Sequence, residues 1–233
     1  MNWTLPARTR IRSARLPAPL VKARDAAALG RKGSDTRRRL LEAARALLKS
    51  HSYVELTSIA ISLAAGRSAP TFYNYFADVN ELILALCDEA TDDFDRVMDS
   101  LRIDEGAALE VAERFIDAYN DYWEVHDAIL SIRNLESDRG NVRYRAMRQR
   151  TSQRLRSDLQ KVVRRLQPAN TVIPQAVIDA HILVIFAAIQ RFAARKTVLS
   201  EETVENLALG QVRSAQISLL ASVLRGDITR HDY

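Results

Sequence analysis

Hydrophobic residues recur at intervals of three and four along most of this 233-residue chain, and this spacing is typical of amphipathic α-helices. Pro70 is the only proline between residues 35 and 167, so little in that range would interrupt a helix. The pattern therefore predicts an all-α protein. Beyond residue 100 it predicts further helices at about 105–122, 124–138, 141–167, 175–196 and 201–225.

The N-terminal helices have recognisable start signals. Ser34 or Asp35 can cap the first helix, because a short polar side chain accepts a hydrogen bond from an unpaired N–H of the first turn. Asp78 can cap a fourth helix, with Glu81 three residues later completing a capping box. The first helix places a set of apolar residues on one face, namely Leu40, Ala44, Leu47 and Leu48.

Two short helices follow the first one. Thr57 can cap the second helix, and Gly66 suits the left-handed position that ends it. Ser68 can cap the third helix, and Pro70 falls in its first turn, where the missing N–H is tolerated. A helix, a tight turn containing glycine and a second short helix form the helix-turn-helix pattern.

The stretch LTSIAISLAAGRSAPTFYNYFADVNEL, residues 56–82, resembles the DNA-binding domain of the TetR family of bacterial transcriptional regulators. The resemblance extends over about residues 35–90. It implies a dimer whose two recognition helices read a roughly palindromic operator, and a C-terminal domain whose ligand changes the spacing of those helices. The matching positions are Thr57, Ile61, Ala65, Gly66, Ser68, Thr71, Phe72, Tyr73, Tyr75, Phe76, Glu81 and Leu82.

The chain departs from the family pattern at several positions. Arg67 stands where an apolar residue is usual, and Val79 stands where many members have a lysine that contacts DNA phosphate. Ile59, Ala60 and Leu63 also replace polar residues. Fewer phosphate contacts are therefore expected from the domain itself, and a helical protein-interaction module with a degenerate DNA-binding domain is the alternative function.

The rings of the third helix divide between two faces. Phe72 and Phe76 lie one turn apart and are expected to pack inward, whereas Tyr73 and Asn74 are expected to point outward. Asparagine can pair with adenine, and the hydroxyl of Tyr75 can reach a phosphate. An ordinary amphipathic surface is the alternative for both tyrosines. With the resemblance, the expected DNA-binding residues are Thr57, Arg67, Ser68, Ala69, Pro70, Thr71, Tyr73, Asn74 and Tyr75.

Positive charge is concentrated at the N-terminus. Residues 1–34 carry eight Arg or Lys residues and one acidic residue, and the chain as a whole has a net charge of +5. We expect residues 1–33 to form a basic arm with too few apolar residues to fold alone. Three interpretations of the arm are open: it adds contacts to DNA, it is a solvated tail without a role, or it is a transit peptide. Residues 34–83 are expected to form the DNA-binding domain and residues 84–233 a larger ligand-binding and dimerisation domain.

Charges are also segregated in the larger domain. Residues 91–138 contain fourteen acidic and four basic residues, and residues 141–165 contain nine basic residues and one acidic residue. The basic helix either forms a second surface for nucleic acid or anionic membrane, or packs beside the acidic helices. The second interpretation is favoured, because the helix keeps an apolar stripe of Met147, Leu155, Leu159, Val162 and Leu166.

The helix over 175–196 is apolar on nearly all sides, which predicts burial all round. Small residues on it and on the last helix permit close approach to the same helices of a second chain, as in TetR-family dimers. A single-domain core that absorbs both helices is the alternative. The expected interface residues are Ala180, Ala187, Ala194, Ala208, Ala215, Ser218 and Ser222.

Inward-facing rings and methionines of the larger domain are candidates for an effector pocket, with a plain packed core as the alternative. Their apolar character suits a hydrophobic or aromatic ligand. The candidates are Phe94, Met98, Phe115, Tyr119, Trp123, Met147 and Phe186.

Enzyme chemistry has little support in the sequence. The four histidines, His51, His126, His181 and His231, are dispersed and form no metal-binding pair, and no Gly-rich phosphate loop occurs. Cys87 is expected to be a buried structural thiol and His181 a satisfied core residue. No enzyme, metal or cofactor is therefore predicted.

The expected compartment is the bacterial cytoplasm, in association with the nucleoid. A single cysteine fits a reducing environment, and the longest unbroken apolar run, residues 182–189, is too short to cross a bilayer. The sequence leaves open the operator, the target genes, the effector and the choice between repression and activation.

Overall fold

Eight α-helices and one 3₁₀ turn form the part of the chain that the computed structural model describes, which comprises residues 31–103, 105–167, 173–196 and 209–227. These ranges contain no strand, and the predicted all-α class is confirmed. The arm up to residue 30 and the expected helix start at 201–208 lie outside the described residues. The helices are α1 (Arg31–Leu48), α2 (Ser58–Ala64), α3 (Ala69–Tyr73), α4 (Val79–Ser100), α5 (Ala108–Asp138), α6 (Val142–Leu166), α7 (Gln175–Lys196) and α8 (Leu209–Arg225).

The first helix begins before its predicted caps. α1 already includes Arg31, so Ser34 and Asp35 lie within the helix, and the predicted cap is wrong. Asp35 instead accepts hydrogen bonds from Arg38 at 2.7 Å and Arg39 at 2.9 Å, which hold the pKa of this carboxyl below its ordinary value. Such pairs at spacings of three and four support the helix through these residues.

Helices α1 to α3 pack around a small apolar core, and α4 continues from them into the larger domain. Leu40, Ile61 and Phe72 are fully buried in this core. The Asp78 carboxylate accepts a hydrogen bond from the Glu81 N–H at 2.8 Å, so the predicted cap of α4 is confirmed. α4 is therefore shared by both domains.

The central helix of the larger domain is α5. It runs without interruption through residue 123, so the predicted division into 105–122 and 124–138 is wrong. Tyr122, Trp123 and His126 are all buried, because α5 is covered by α4, α6, α7 and α8. Asp121 and Glu124 lie on the remaining exposed side of this one continuous helix and do not interrupt it.

The basic helix α6 packs beside acidic residues of α4, as the sequence predicts. Arg150 binds Asp95 at 2.7 Å, and Arg154 binds Asp99 at 2.6 Å. These pairs are exposed and contribute under about 1 kcal/mol each. The apolar stripe of α6 supplies the packing: Leu155, Leu159 and Val162 are buried, and Met147 and Leu166 are partly buried.

Burial of α7 on all sides is not observed. One face packs against α5, α6 and α8, but Leu183 and Val184 on another face are 67% and 71% exposed. By length and composition alone, the segment Gln175–Ala194 is apolar enough to cross a membrane, with a mean hydropathy of 1.7. Only the unbroken apolar run at 182–189 was considered in the sequence, and this longer segment, which isolated polar residues interrupt, was therefore overlooked. The core helix of a bundle passes the same test.

Candidate DNA-binding and effector sites

The helix-turn-helix has the local geometry that its sequence predicts. The Thr57 hydroxyl accepts a hydrogen bond from the Ala60 N–H at 3.1 Å and caps α2. Gly66 adopts a φ of 64°, the left-handed conformation that a glycine accepts without strain. The chain then reverses through Arg67 and enters α3 at Ala69. This turn brings α3 into contact with α2.

Phe72 and Phe76 lie on the inner side of the recognition helix, as predicted. They are 0% and 3% exposed, and their ring centroids are 5.7 Å apart. α3 itself ends at Tyr73, with Asn74 as its C-cap, so it is shorter than the aromatic stretch. A hydrogen bond from the Phe76 N–H to the Phe72 carbonyl at 3.0 Å continues the turn. The two phenylalanines therefore anchor α3 to the domain.

Tyr73 and Asn74 lie on the outer side. Tyr73 is 59% exposed, and its hydroxyl lies 2.9 Å from the hydroxyl of Ser58, a residue that the sequence did not single out. Ser68 is not bonded to the backbone as a cap; its hydroxyl instead lies 2.8 Å from that of Thr71. Among the remaining candidates, Thr57 and Pro70 are exposed, and Arg67, Ala69, Thr71 and Tyr75 are partly buried.

Arg67 lies beside the beginning of α1. With Arg31, Lys32, Asp35 and Thr36 it lines a shallow hollow of about 590 Å³. Arg31 and Lys32 were missed as site residues, because the sequence assigned them to the arm. This basic hollow lies next to the turn of the helix-turn-helix, because Arg67 belongs to that turn.

The candidate pocket residues of the larger domain come together mainly as one aromatic cluster. Tyr119 is its centre: its ring is stacked on Phe115 at 5.7 Å and meets Phe186 edge-on at 5.5 Å. The ring centroid of Phe94 lies 6.4 Å from that of Tyr119 and 5.4 Å from that of Tyr122. Tyr122 was missed by the sequence, because it reads as one more residue of an acidic, amphipathic segment.

The other pocket candidates lie around this cluster. Trp123 is buried, with its ring centroid 6.3 Å from that of Tyr119. Met147 is partly buried on α6. Met98 is buried and lines a groove of about 370 Å³ between α4 and α6, together with Arg154 and Arg165.

Burial changes the acid–base properties of the cluster. It raises the pKa of Tyr122 to about 12, and it raises the pKa of Tyr119 as well. The thiol of Cys87 is buried as predicted, and burial raises its pKa to about 12. The nearby charge of Arg133 opposes all three shifts. These groups are therefore neutral near pH 7.

A cleft of about 340 Å³ lies between α1 and α5 and includes Arg45 and His126 in its lining. His126 is mostly buried, and its Nε2 lies 3.1 Å from the Asp93 carboxylate. Burial lowers the pKa of His126, and Asp93 opposes this shift. Arg45 forms an ion pair with Glu89 of α4, so a charged contact joins the two domains here.

The small residues expected at a dimer interface lie mostly on an open face. Ala180, Ala187, Ala215 and Ser218 are exposed on α7 and α8, which contact each other. Ala194 and Ser222 are partly buried, and Ala208 lies outside the described residues.

The histidines lie apart from one another. His181 is partly buried, and its Nδ1 lies 2.7 Å from the Val177 carbonyl oxygen. His51 is exposed next to Ser50, and His231 lies outside the described residues. Across the described ranges, no three His, Cys, Asp or Glu side chains are arranged to hold a metal ion.

Two family models match this chain. The model for bacterial regulatory proteins of the tetR family matches residues 40–86, and the model for the tetracyclin repressor-like C-terminal domain matches residues 80–220. The second match covers more than half of the sequence, so the chain belongs to the TetR family of bacterial transcriptional regulators. It is a regulator with an N-terminal helix-turn-helix for DNA. No curated protein sequence matches the chain.

Solved structures of the same fold each cover at least 80% of this chain in the three cases that follow. The fatty acid degradation regulator FadR from Bacillus halodurans is 13% identical, with 88% of this chain and 99% of FadR covered at a TM-score of 0.60. PfmR from Thermus thermophilus is 16% identical, with 80% and 97% covered at 0.54. LfrR from Mycobacterium smegmatis, in complex with proflavine, is 17% identical, with 82% and 96% covered at 0.53. At these identities the likeness concerns the fold alone.

Proposed function

We propose that this regulator is a cytoplasmic repressor without enzymatic activity that binds a palindromic operator as a homodimer and leaves it when a small apolar effector enters the larger domain. The observation that carries the proposal is the recognition element, in which Phe72 and Phe76 are buried while Tyr73 and Asn74 face outward. A helix anchored in this way presents its polar side chains to base edges and phosphates of the major groove.

Phosphate binding is assigned to the basic hollow of Arg31, Lys32 and Arg67. Cations at this place supply the electrostatic attraction that the domain lacks at Val79. Arg31 and Lys32 bring this hollow to the first turn of α1.

Dimerisation is assigned to the open face of α7 and α8. Leu183, Val184 and Leu219 are more than half exposed on these two contacting helices, and exposed apolar patches often mark an interaction surface. The small residues Ala187 and Ala215 beside them permit close helix approach. Packing this face against its copy gives a two-fold four-helix interface, and two-fold symmetry matches the two half-sites of a palindrome.

Release of the operator on effector binding requires a structural connection from the larger domain to α3. α6 supplies one, because the Tyr144 hydroxyl donates a hydrogen bond to Asn80 at 2.8 Å and Arg143 pairs with Glu81. Asn80 and Glu81 lie in the first turn of α4, directly after the recognition element. Displacement of α6 by a ligand therefore moves the base of α3.

A gel shift with DNA from upstream of the chain's own gene tests the function. We expect specific retention by the wild type, and loss of retention in Tyr73→Ala and in Asn74→Ala. Gln153→Ala, an exposed change on α6, is the matched control and keeps wild-type retention. Equal retention by all four proteins contradicts the assigned interface.

The alternative function, a protein-interaction module, is favoured by one observation. Ile59 and Leu63 are 67% and 79% exposed on consecutive turns of α2, so the helix-turn-helix carries an apolar stripe. If the wild type retains no DNA even at low salt, this stripe becomes the candidate contact surface.

A further inference from the structure

Arg133 is a charged residue in the interior of the larger domain. It lies on α5 and is 1% exposed, and it belongs to the largest fully buried side chains of the described residues. Its guanidinium contacts neutral oxygens at long range: the Asn134 amide oxygen at 3.3 and 3.4 Å and the Thr151 hydroxyl at 3.4 Å. These distances exceed those of ordinary N–H···O hydrogen bonds.

The charge of Arg133 has no anionic partner within the described ranges. No carboxylate oxygen lies within 4.0 Å of it, whereas the basic residues of α6 form several ion pairs at the surface. A guanidinium stays protonated at every physiological pH. Burying such a charge without a counter-ion is strongly unfavourable, so an arginine at this place indicates that an anion completes the site.

Further unpaired polar groups accompany Arg133. The Trp123 Nε1–H is buried without a hydrogen-bond partner in the described part of the chain, and the Tyr122 hydroxyl is buried without a partner of ordinary geometry, with the Arg133 guanidinium close enough for a weak hydrogen bond. Arg133 is near enough to the Tyr122 hydroxyl to oppose the rise of its pKa. A buried hydroxyl and a buried indole N–H left unpaired each destabilise the fold unless a ligand binds them.

Apolar rings surround these polar groups. The charge of Arg133 acts on Tyr119, where it opposes the rise of the pKa caused by burial. The ring of Tyr119 contacts the rings of Phe94, Phe115 and Phe186. Small-molecule sites have this composition, with apolar walls and a few convergent polar groups. Thr151 lies on α6, so a ligand bound at Arg133 would also lie next to α6, which packs against α4.

We propose that Arg133, with Tyr122, binds the carboxylate of an apolar monocarboxylic acid whose hydrocarbon part contacts the aromatic cluster. This inference rests on the proposed effector function, and it names the chemical class of the effector. A planar carboxylate accepts two parallel hydrogen bonds from a guanidinium. Its single charge balances the single charge of Arg133, whereas a phosphate dianion would leave a negative charge in an apolar interior.

Matched probes test the class of ligand. Phenylacetate and hexanoate are compared with phenylacetamide and hexanamide, which have the same shape without the charge. Binding is followed by the fluorescence of Trp123 in Trp3→Phe, since Trp3 and Trp123 are the two tryptophans of the chain. We expect each carboxylate to bind at least about tenfold more tightly than its amide, because hydrogen bonds to charged groups are the stronger ones. Equal affinity for both members of each pair, or no binding by either carboxylate, overturns the proposal.

Arg133→Met separates ligand binding from folding. In this variant we expect the preference for carboxylate over amide to disappear and the melting temperature of the ligand-free protein to stay unchanged or rise. Arg156→Met, at an exposed position of α6, is the control and keeps the preference. A lower melting temperature in Arg133→Met with an intact carboxylate preference would assign Arg133 a structural role instead.

The outcome is independent of DNA binding. A chain that prefers carboxylates but retains no operator DNA overturns the proposed repressor function and keeps the binding site. A chain that retains DNA without any preference for carboxylates overturns only the site.

Discussion

The open face of α7 permits a quantitative test of the proposed dimer. Leu183 and Val184 are 67% and 71% exposed in the single chain. Fully burying a leucine or valine side chain contributes roughly 1.5–3 kcal/mol, so completing the burial of each contributes roughly 1–2 kcal/mol. Two-fold symmetry doubles every contact, and the four side chains together contribute roughly 4–8 kcal/mol to association.

The double variant Leu183→Ala, Val184→Ala is therefore expected to weaken association by at least about a thousandfold, since roughly 1.4 kcal/mol corresponds to a factor of ten. Sedimentation equilibrium at micromolar concentration measures the change. We expect a dimeric wild type and a monomeric variant. The far-ultraviolet circular dichroism of the variant should stay helical, because both side chains lie outside the core.

Val125→Ala is the matched control for this experiment. Val125 is 75% exposed on α5, and its replacement removes from another surface the same apolar groups that Val184→Ala removes from α7. It should leave the dimer intact. A monomeric wild type, or a double variant that associates as tightly as the wild type, refutes the assignment of this face.

Three further predictions concern single residues. Gly66→Ala is expected to lower the free energy of unfolding by about 1–2 kcal/mol, because the left-handed φ of 64° strains any residue with a Cβ; chemical denaturation measures it, and an unchanged midpoint contradicts it. Arg67→Ala is expected to reduce the magnitude of the slope of log K for DNA against log salt by about 0.9 for each phosphate that the variant no longer neutralises. Salt titration of operator binding measures this slope, and an unchanged slope removes Arg67 from the interface. Burial lowers the pKa of His126, so its contribution to stability is present above the ordinary value of 6.5 and is lost as the pH falls below it. His126→Gln should therefore flatten the decline of melting temperature from about pH 7 to about pH 5, and an equally steep decline would contradict this reasoning.

The local geometry of the DNA-binding domain was predictable because short-range signals determine it. Thr57 and Asp78 accept the hydrogen bonds expected of N-caps, and Gly66 has the left-handed conformation expected at the end of α2. Each of these features depends on a few neighbouring residues. Ser34 and Asp35 were misassigned because side-chain pairs along α1 compete with capping.

Long-range features of the larger domain were harder to predict. Hydrophobic periodicity does not distinguish the face of α7 that packs on its own bundle from the face that carries Leu183 and Val184, since both are apolar. The burial of Arg133 has no local signal at all. A single arginine in an acidic segment reads as a surface residue, and only the packing of α5 against α4, α6, α7 and α8 places it inside.

The burial of Cys87 gives the chain an intrinsic reporter of motion. It is the only cysteine of the sequence, it is fully buried on α4, and its Sγ lies 3.9 Å from the Ile129 carbonyl oxygen of α5. A thiol reagent can therefore modify the protein at one position, and only when the packing around α4 opens. The rate of modification depends on how readily this packing opens. α4 begins shortly after the recognition element. Comparing the rate of Cys87 modification in the unliganded and the DNA-bound protein therefore shows whether DNA binding changes the opening of the packing around α4.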